Sequence, residues 1–203
     1  MHAHSFTRSR DSGISGPTLV EHVAARGLDG VTLTEHNAIW PADEARELSE
    51  RYEVVALPAM ELGTDVGHVL VYGLDHYSIE LLRAEILRPI VLAEGAAMVW
   101  AHPMRQVDGR RASWQEVPEL FEALEVVNGD HSDRADGYYA SLTRELGVGR
   151  TAGSDVHSIP AIGRVGTVFP EPVPDLETLV RLLREQQQDI FDFRTAAYFA
   201  TAR

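Results

Sequence analysis

The chain has 203 residues, 44% of them hydrophobic, a formal net charge of −13 and no cysteine. That length suits one domain with a substantial core, and the lack of thiols excludes disulfides and thiolate metal sites, leaving nitrogen and oxygen as the only metal donors. The acid excess disfavours long nucleic acids and membrane surfaces as partners, no run nears the roughly 18 apolar residues of a bilayer span, and Met1-His2-Ala3-His4 lacks the features of a signal peptide, so the expected location is cytoplasmic.

Pro17 to Gly27 has helical spacing, with Leu19 and Val23 on one face and Gly27 as a stop, which makes His22 a surface helix residue. Gly30 to Thr34 alternates as a short strand ending at Glu35-His36. Pro41 to Arg51 is a helix with proline at its first turn and acidic residues after it. Glu53 to Glu61 and Gly67 to Gly73 form the next strand and a hairpin partner. A long helix is expected over 78–94, a buried strand over 96–101, a helix over 114–122, a strand over 123–127 and a helix over 133–146. Gly149 to Ala152 leads into Ser154-Asp155-Val156-His157. Val165 to Phe169 is a further strand and Pro174 to Gln187 a helix carrying Leu176, Leu179, Leu182 and Leu183; the tail is weakly patterned.

This alternation predicts a mostly parallel sheet with helices outside. His2-x-His4, Thr34-Glu35-His36, Trp100-Ala101-His102-Pro103 and Gly153-Ser154-Asp155-Val156-His157 each sit where a strand hands over to a loop. Donors distributed around successive strand ends favour a closed or nearly closed barrel, with its site at that face, over an open doubly wound sheet with one switch point. Imidazoles and carboxylates from several strands are what an enzyme with two or three adjacent divalent ions requires. The composition thus points to a metallohydrolase.

His2-x-His4, Asp11, Thr34-Glu35-His36, Pro58-Ala59-Met60-Glu61, Gly67-His68, Ala101-His102-Pro103 and Ser154-Asp155-Val156-His157 together resemble the polymerase and histidinol phosphatase (PHP) superfamily, from residue 2 to about residue 170. The resemblance implies a distorted seven-stranded (β/α) barrel in a single domain, with two or three divalent ions (manganese, zinc or iron) that hydrolyse phosphoesters. It implies that His2, His4, Glu61 and Asp155 hold a first metal, that Glu61 bridges to a second with His68 and His102, and that Asp11, His36 and His157 hold a third. Hydroxide between bridged metals would be the nucleophile. Arg105 and Arg164 are the candidate phosphate clamp, since guanidinium presents a planar fork to phosphate oxygens.

Asn128 and His131 would line the pocket or cap a loop, His76 would be a surface histidine, and Glu35 stands where aspartate is more usual. Only Met1 precedes His2, so the first strand expected from the resemblance is nearly absent, and we expect translation to begin upstream or the chain to be clipped. The expected activity is hydrolysis of a small phosphomonoester or phosphodiester, with histidinol phosphate, a nucleotide and a sugar phosphate all open. A nuclease or proofreading activity and a non-catalytic metal-stabilised regulatory module are the alternatives; oligomeric state cannot be read from the sequence.

Overall fold

The computed structural model describes residues 1–103, 105, 112–130 and 136–194. Its centre is a curled six-stranded sheet in the order β1 (Gly30–His36), β2 (Val55–Thr64), β3 (Gly67–Tyr72), β4 (Ala97–Trp100), β5 (Ala123–Asn128) and β6 (Gly149–Gly153). The β1/β2, β4/β5 and β5/β6 pairs are parallel, and β2/β3 and β3/β4 antiparallel. The expected hairpin partner is therefore β3, and it carries His68 back to the edge reached by Glu61.

The sheet's open side is spanned by the N-terminal segment. Thr34 N donates to Ala3 O at 2.9 Å, His4 N donates to Val156 O at 3.0 Å, and Ala3 forms a parallel bridge with Val156. A second, two-stranded sheet pairs β7 (Val165–Val168) with β8 (Asp189–Asp192) and hangs on β6 through Thr167 Oγ1, which accepts from Ala152 N at 3.0 Å. The strands thus form a six-stranded curl and a separate hairpin. β8 lies in the weakly patterned tail, where its half-exposed residues give little apolar alternation.

Helices cover the curl. In α1 (Gly16–Ala25), Ser15 Oγ caps Thr18 N at 3.1 Å, and Leu19, Val20 and Val23 are buried. α2 (Ala42–Tyr52) connects β1 to β2. α6 (Leu176–Glu185) starts at Asp175, whose carboxylate accepts from Thr178 N at 2.8 Å, and packs Leu179 and Leu183 onto Leu70, Tyr72, Ala97 and Val99. The opposite side chains of the same strands, Val69, Val71, Met98 and Trp100, pack with Leu87, Val91 and Phe121. Both faces of β3 and β4 are buried, which is why these strands read as continuous apolar runs.

Two expected helices are shorter than their patterns. Over 78–94 a 3-10 turn (Ile79–Leu82) precedes α3 (Ala84–Ala93), with Arg83 extended between them. Asp65 makes the break: its N donates to Leu82 O at 2.9 Å, and its carboxylate accepts from Ala84 N at 2.8 Å. Over 114–122 only α4 (Val117–Leu120) is helical, because Phe121 turns extended and stacks on Trp100 at 5.5 Å between centroids. α5 (Asp136–Leu146) then leads to β6. Among the described residues no helix is long and apolar enough to cross a membrane.

Candidate metal centre

All nine predicted donors converge on one rim of the curl. His36 ends β1; Glu61 lies within β2 and not at its end, but antiparallel β3 starts at that rim and brings His68 beside it. His102 and Asp155 follow β4 and β6 in left-handed backbone conformations, φ 28° and 48°. Such conformations are disfavoured for residues with a side chain and collect at functional sites. His2 and His4 flank bridging Ala3.

The two Glu61 oxygens face different histidines. Oε1 is 2.9 Å from His68 Nδ1 and 2.9 Å from His102 Nε2. Oε2 is 3.4 Å from His2 Nε2, 3.3 Å from His4 Nε2 and 2.9 Å from His36 Nδ1. Asp155 Oδ1 approaches the same imidazoles, 3.5 Å from His2 Nε2 and 3.2 Å from His4 Nε2. At the mouth, Asp11 Oδ2 lies 3.0 Å from His36 Nε2 and 3.3 Å from His157 Nε2. The centre is graded: His2, His4, Glu61, His102 and Asp155 are buried, while Asp11, at 55% side-chain exposure, meets solvent.

Burial alone would neutralise these groups, but they charge one another. Burial lowers the His2 imidazole's affinity for a proton, yet Asp155, Glu125 and Glu61 together raise its pKa well above the ordinary histidine value. Against their own burial, the Glu61 and Asp155 carboxyls are held below the usual carboxylate range by His2 and by the other imidazoles that surround them. His4, more dominated by burial, is lowered.

The donor set fits divalent ions. His2 Nε2, His4 Nε2, Glu61 Oε2 and Asp155 Oδ1 are buried and make no hydrogen bond of acceptable geometry, although they lie close together. Buried polar atoms without partners are rare and costly. Four ligands at zinc-like bond lengths stand about 3.4 Å apart, matching the 3.2–3.5 Å separations between these nitrogens and oxygens. Among the described residues, three donor groups meet metal-binding spacing: His2, His4 and Asp155; His2, Glu61 and His102; His4, His36 and His157.

Two carboxylates support the cluster in ways the sequence did not disclose. Glu125, fully buried in β5, meets His2 Nδ1 at 2.9 Å. A register shift between Glu125 and Val127 accompanies the turning of Glu125 and Asn128, three residues apart, to one side, where Asn128 Nδ2 donates to Glu125 Oε2 at 2.8 Å. The signal was a lone acid in the apolar run Ala123-Leu124-Glu125-Val126-Val127. Glu35 is bonded to the loop and not to the imidazoles. It accepts from Ser5 N and Oγ, Ser9 Oγ and Trp40 Nε1, fixing the loop that carries Asp11.

A cavity of about 430 Å³ opens over the mouth, lined by Asp11, His36, His68, His157, Arg105 and Arg164. Arg105 donates to Asp155 Oδ2 at 3.1 Å and Asp130 Oδ2 at 2.8 Å. Asn128 also faces inward, 3.2 Å from Asp155 Oδ2. A larger cavity of about 660 Å³ lies behind Met1, with mainly apolar walls including Leu19, Leu57, Val156 and Leu179. Of the donor cluster it is lined by His2 alone, whereas the smaller cavity gathers Asp11, His36, His68, Asp155 and His157, so the smaller cavity is the chemical one. His22 caps back onto Thr18 O within α1, and His76 is an exposed partner of Asp75; neither reaches the site. His131 lies outside the described residues.

The model of the PHP-associated family PHP_C matches residues 139–187, the stretch that carries Asp155 and His157. Solved structures share the fold. A two-domain protein from Bacteroides vulgatus, containing a predicted PHP-like metal-dependent phosphoesterase, superposes with a TM-score of 0.69 at 20% identity, over 94% of this chain and 63% of that one. The chain therefore spans less than two thirds of that protein. An amidohydrolase from Chromobacterium violaceum, with bound sulfate and no metal, gives 0.68 at 16% identity over 96% and 98% of the two chains. An inferred metal-dependent phosphoesterase from Bifidobacterium adolescentis gives 0.63 at 18% over 90% and 94%. No curated protein matches the sequence.

Proposed function

We propose that the chain belongs to the PHP superfamily, whose PHP-associated model matches residues 139–187, and that it is a metal-dependent phosphoesterase acting on a small phosphate ester. The observation that carries this is Glu61: one buried carboxylate presents one oxygen to His68 and His102 and the other to His2, His4 and His36. A bridging carboxylate must have that arrangement to serve two ions.

His2, His4, Glu61 and Asp155 would hold one ion, Glu61 with His68 and His102 a second, and Asp11, His36 and His157 a third. Manganese, zinc and iron all suit these donors. When bound, such ions supply Lewis acidity and make a coordinated water acidic enough to attack near neutral pH. The chain's own work is positioning. Glu61 and Asp155 offset the ions' charge, and the rim histidines and Asp11 fix the floor on which a phosphate rests.

Arg105 and Arg164 on the cavity wall would grip the non-bridging phosphate oxygens. Arg105 would exchange its contact with exposed Asp130 for the substrate, while its Asp155 contact keeps it oriented. The rest of the fold reading belongs to the same proposal: a distorted (β/α)7 barrel in a single domain, with the Ala3 segment as the remaining stave. The cavity of about 430 Å³ and the net charge of −13 favour a small ester over a long nucleic acid or a membrane. Release of nitrophenol from para-nitrophenyl phosphate or its bis-ester by manganese-, zinc- or iron-loaded protein tests the activity. Turnover dependent on added metal supports it; none with any metal on either ester or on a panel of phosphorylated metabolites refutes it.

A further inference from the structure

Glu125 is a fully buried carboxylate in a strand that is apolar apart from it and Asn128, a placement that is costly unless its oxygens are fully engaged. They are, and every partner leads to the donor cluster. Oε1 lies 2.9 Å from His2 Nδ1. Oε2 accepts from His102 N at 3.0 Å and from Asn128 Nδ2 at 2.8 Å, and the same Asn128 nitrogen reaches Asp155 Oδ2 at 3.2 Å.

A carboxylate can only accept, so His2 must present its proton on Nδ1. Nε2 is then the nitrogen left to bind an ion once the ring is neutral, and it points to the space shared by Glu61 Oε2 and Asp155 Oδ1, where it has no hydrogen bond. The bond to His102 N holds a residue whose φ of 28° is otherwise disfavoured. Gly153 makes room for the pair: a Cβ there would stand 2.4 Å from Glu125 Oε1 and 2.3 Å from His2 Cβ.

We propose that Glu125 is a positioning residue of the metal centre, which selects the His2 tautomer and presets His2 and His102, and through Asn128 Asp155, for ions before they arrive. This rests on the metal-dependent reading above. Carboxylates that orient a ligating imidazole typically contribute 10–100-fold to metal affinity. Glu125→Gln keeps the shape, but its amide cannot accept on both sides, so one of the His2 and Oε2 contacts is lost.

The test is zinc affinity, measured by competition with a chromophoric chelator, for the wild-type protein, E125Q and E122Q. Glu122 is a fitting control because its carboxylate accepts from Met98 N and Arg88, away from the cluster. The expected result is binding about 10–100-fold weaker in E125Q, with an unchanged circular dichroism spectrum, and wild-type affinity in E122Q. Wild-type affinity in E125Q, or an equal loss in E122Q, would overturn the role of Glu125. Should E125Q not fold, nitrogen-15 NMR of zinc-loaded wild type decides the matter: a proton on His2 Nδ1 supports the proposal and a proton on Nε2 overturns it. Wild-type protein that takes up no metal would instead sink the underlying reading.

Discussion

His36 and Glu61 stand directly opposite one another in the parallel register of β1 and β2, and His36 Nδ1 lies 2.9 Å from Glu61 Oε2. The pairing places an imidazole from the end of one strand over a carboxylate from within the next. Because His36 Nε2 turns to Asp11 at 3.0 Å, this ring links the buried half of the centre to its solvent-facing half. The strand register of the sheet is thus also the spacing rule of the proposed metal site.

Removing the bridge should be decisive. Glu61→Ala is expected to lower metal content and reduce turnover by well over the roughly 100-fold typical of an indirect contact, whereas His22→Ala should leave both unchanged. Elemental analysis with an ester hydrolysis assay checks this; equal activity in the two variants would refute the assignment.

Arg105 should matter for substrate and little for the ions. Losing one charged hydrogen-bonding group from a phosphate contact costs about 1.5–3 kcal/mol, so Arg105→Ala should lower kcat/KM by roughly 10- to 100-fold with near-normal metal content. Arg105→Lys should recover only part, because a lysine cannot reproduce the planar fork. Steady-state kinetics on the two variants provides the check.

Glu35 should be a matter of stability. Glu35→Ala would leave Ser5 N, Ser9 Oγ and Trp40 Nε1 without their shared acceptor, at about 1–3 kcal/mol for each donor that water does not reach. We expect unfolding in urea to shift down by about 3 kcal/mol. Substrate affinity should fall as well, as the loop bearing Asp11 loosens. An unchanged urea midpoint would contradict the latch.

Acidity should act on the metal-free and metal-loaded proteins by different routes. Glu61, Glu125 and Asp155 have folded pKa values below the ordinary carboxylate range, so their contribution to stability is present above about pH 4.5 and is lost as pH falls through the lowered values. His2 is raised, so its contribution to the metal-free protein is full below about pH 6.5 and is lost as pH rises through the raised value. A metal on His2 Nε2 must displace a proton there. The gain in Tm on adding zinc should therefore grow with rising pH above about 6.5, measured by scanning calorimetry with and without the ion.

Most of the histidine motifs were legible because they are short polar interruptions at the ends of apolar strands, and their spacing survived in the fold as one rim. Asp11 was harder, since Arg10-Asp11-Ser12-Gly13 also suits a plain turn; the Glu35 latch, with the bonds of Gly13 N to His157 O and Ser12 Oγ to His4 O, brings its loop to His36 and His157. The break in the 78–94 helix was hidden because its cause, Asp65, lies in a distant turn. Glu125 was missed because strand alternation assigns neither its partner nor the irregularity that turns Asn128 beside it. β8 escaped because a half-exposed edge strand has no core face to pattern it. Tertiary partners decided each of these, and local periodicity carries no record of them.

The most direct measurement is the metal content of wild-type and Glu61→Ala protein, purified in parallel after loading with manganese, zinc or iron, alongside phosphoester turnover. The account predicts two to three ions per wild-type chain, metal-dependent turnover, and loss of both bridging occupancy and activity in the variant. Wild-type protein that holds no divalent ion, or a variant that retains full metal content and activity, would contradict it.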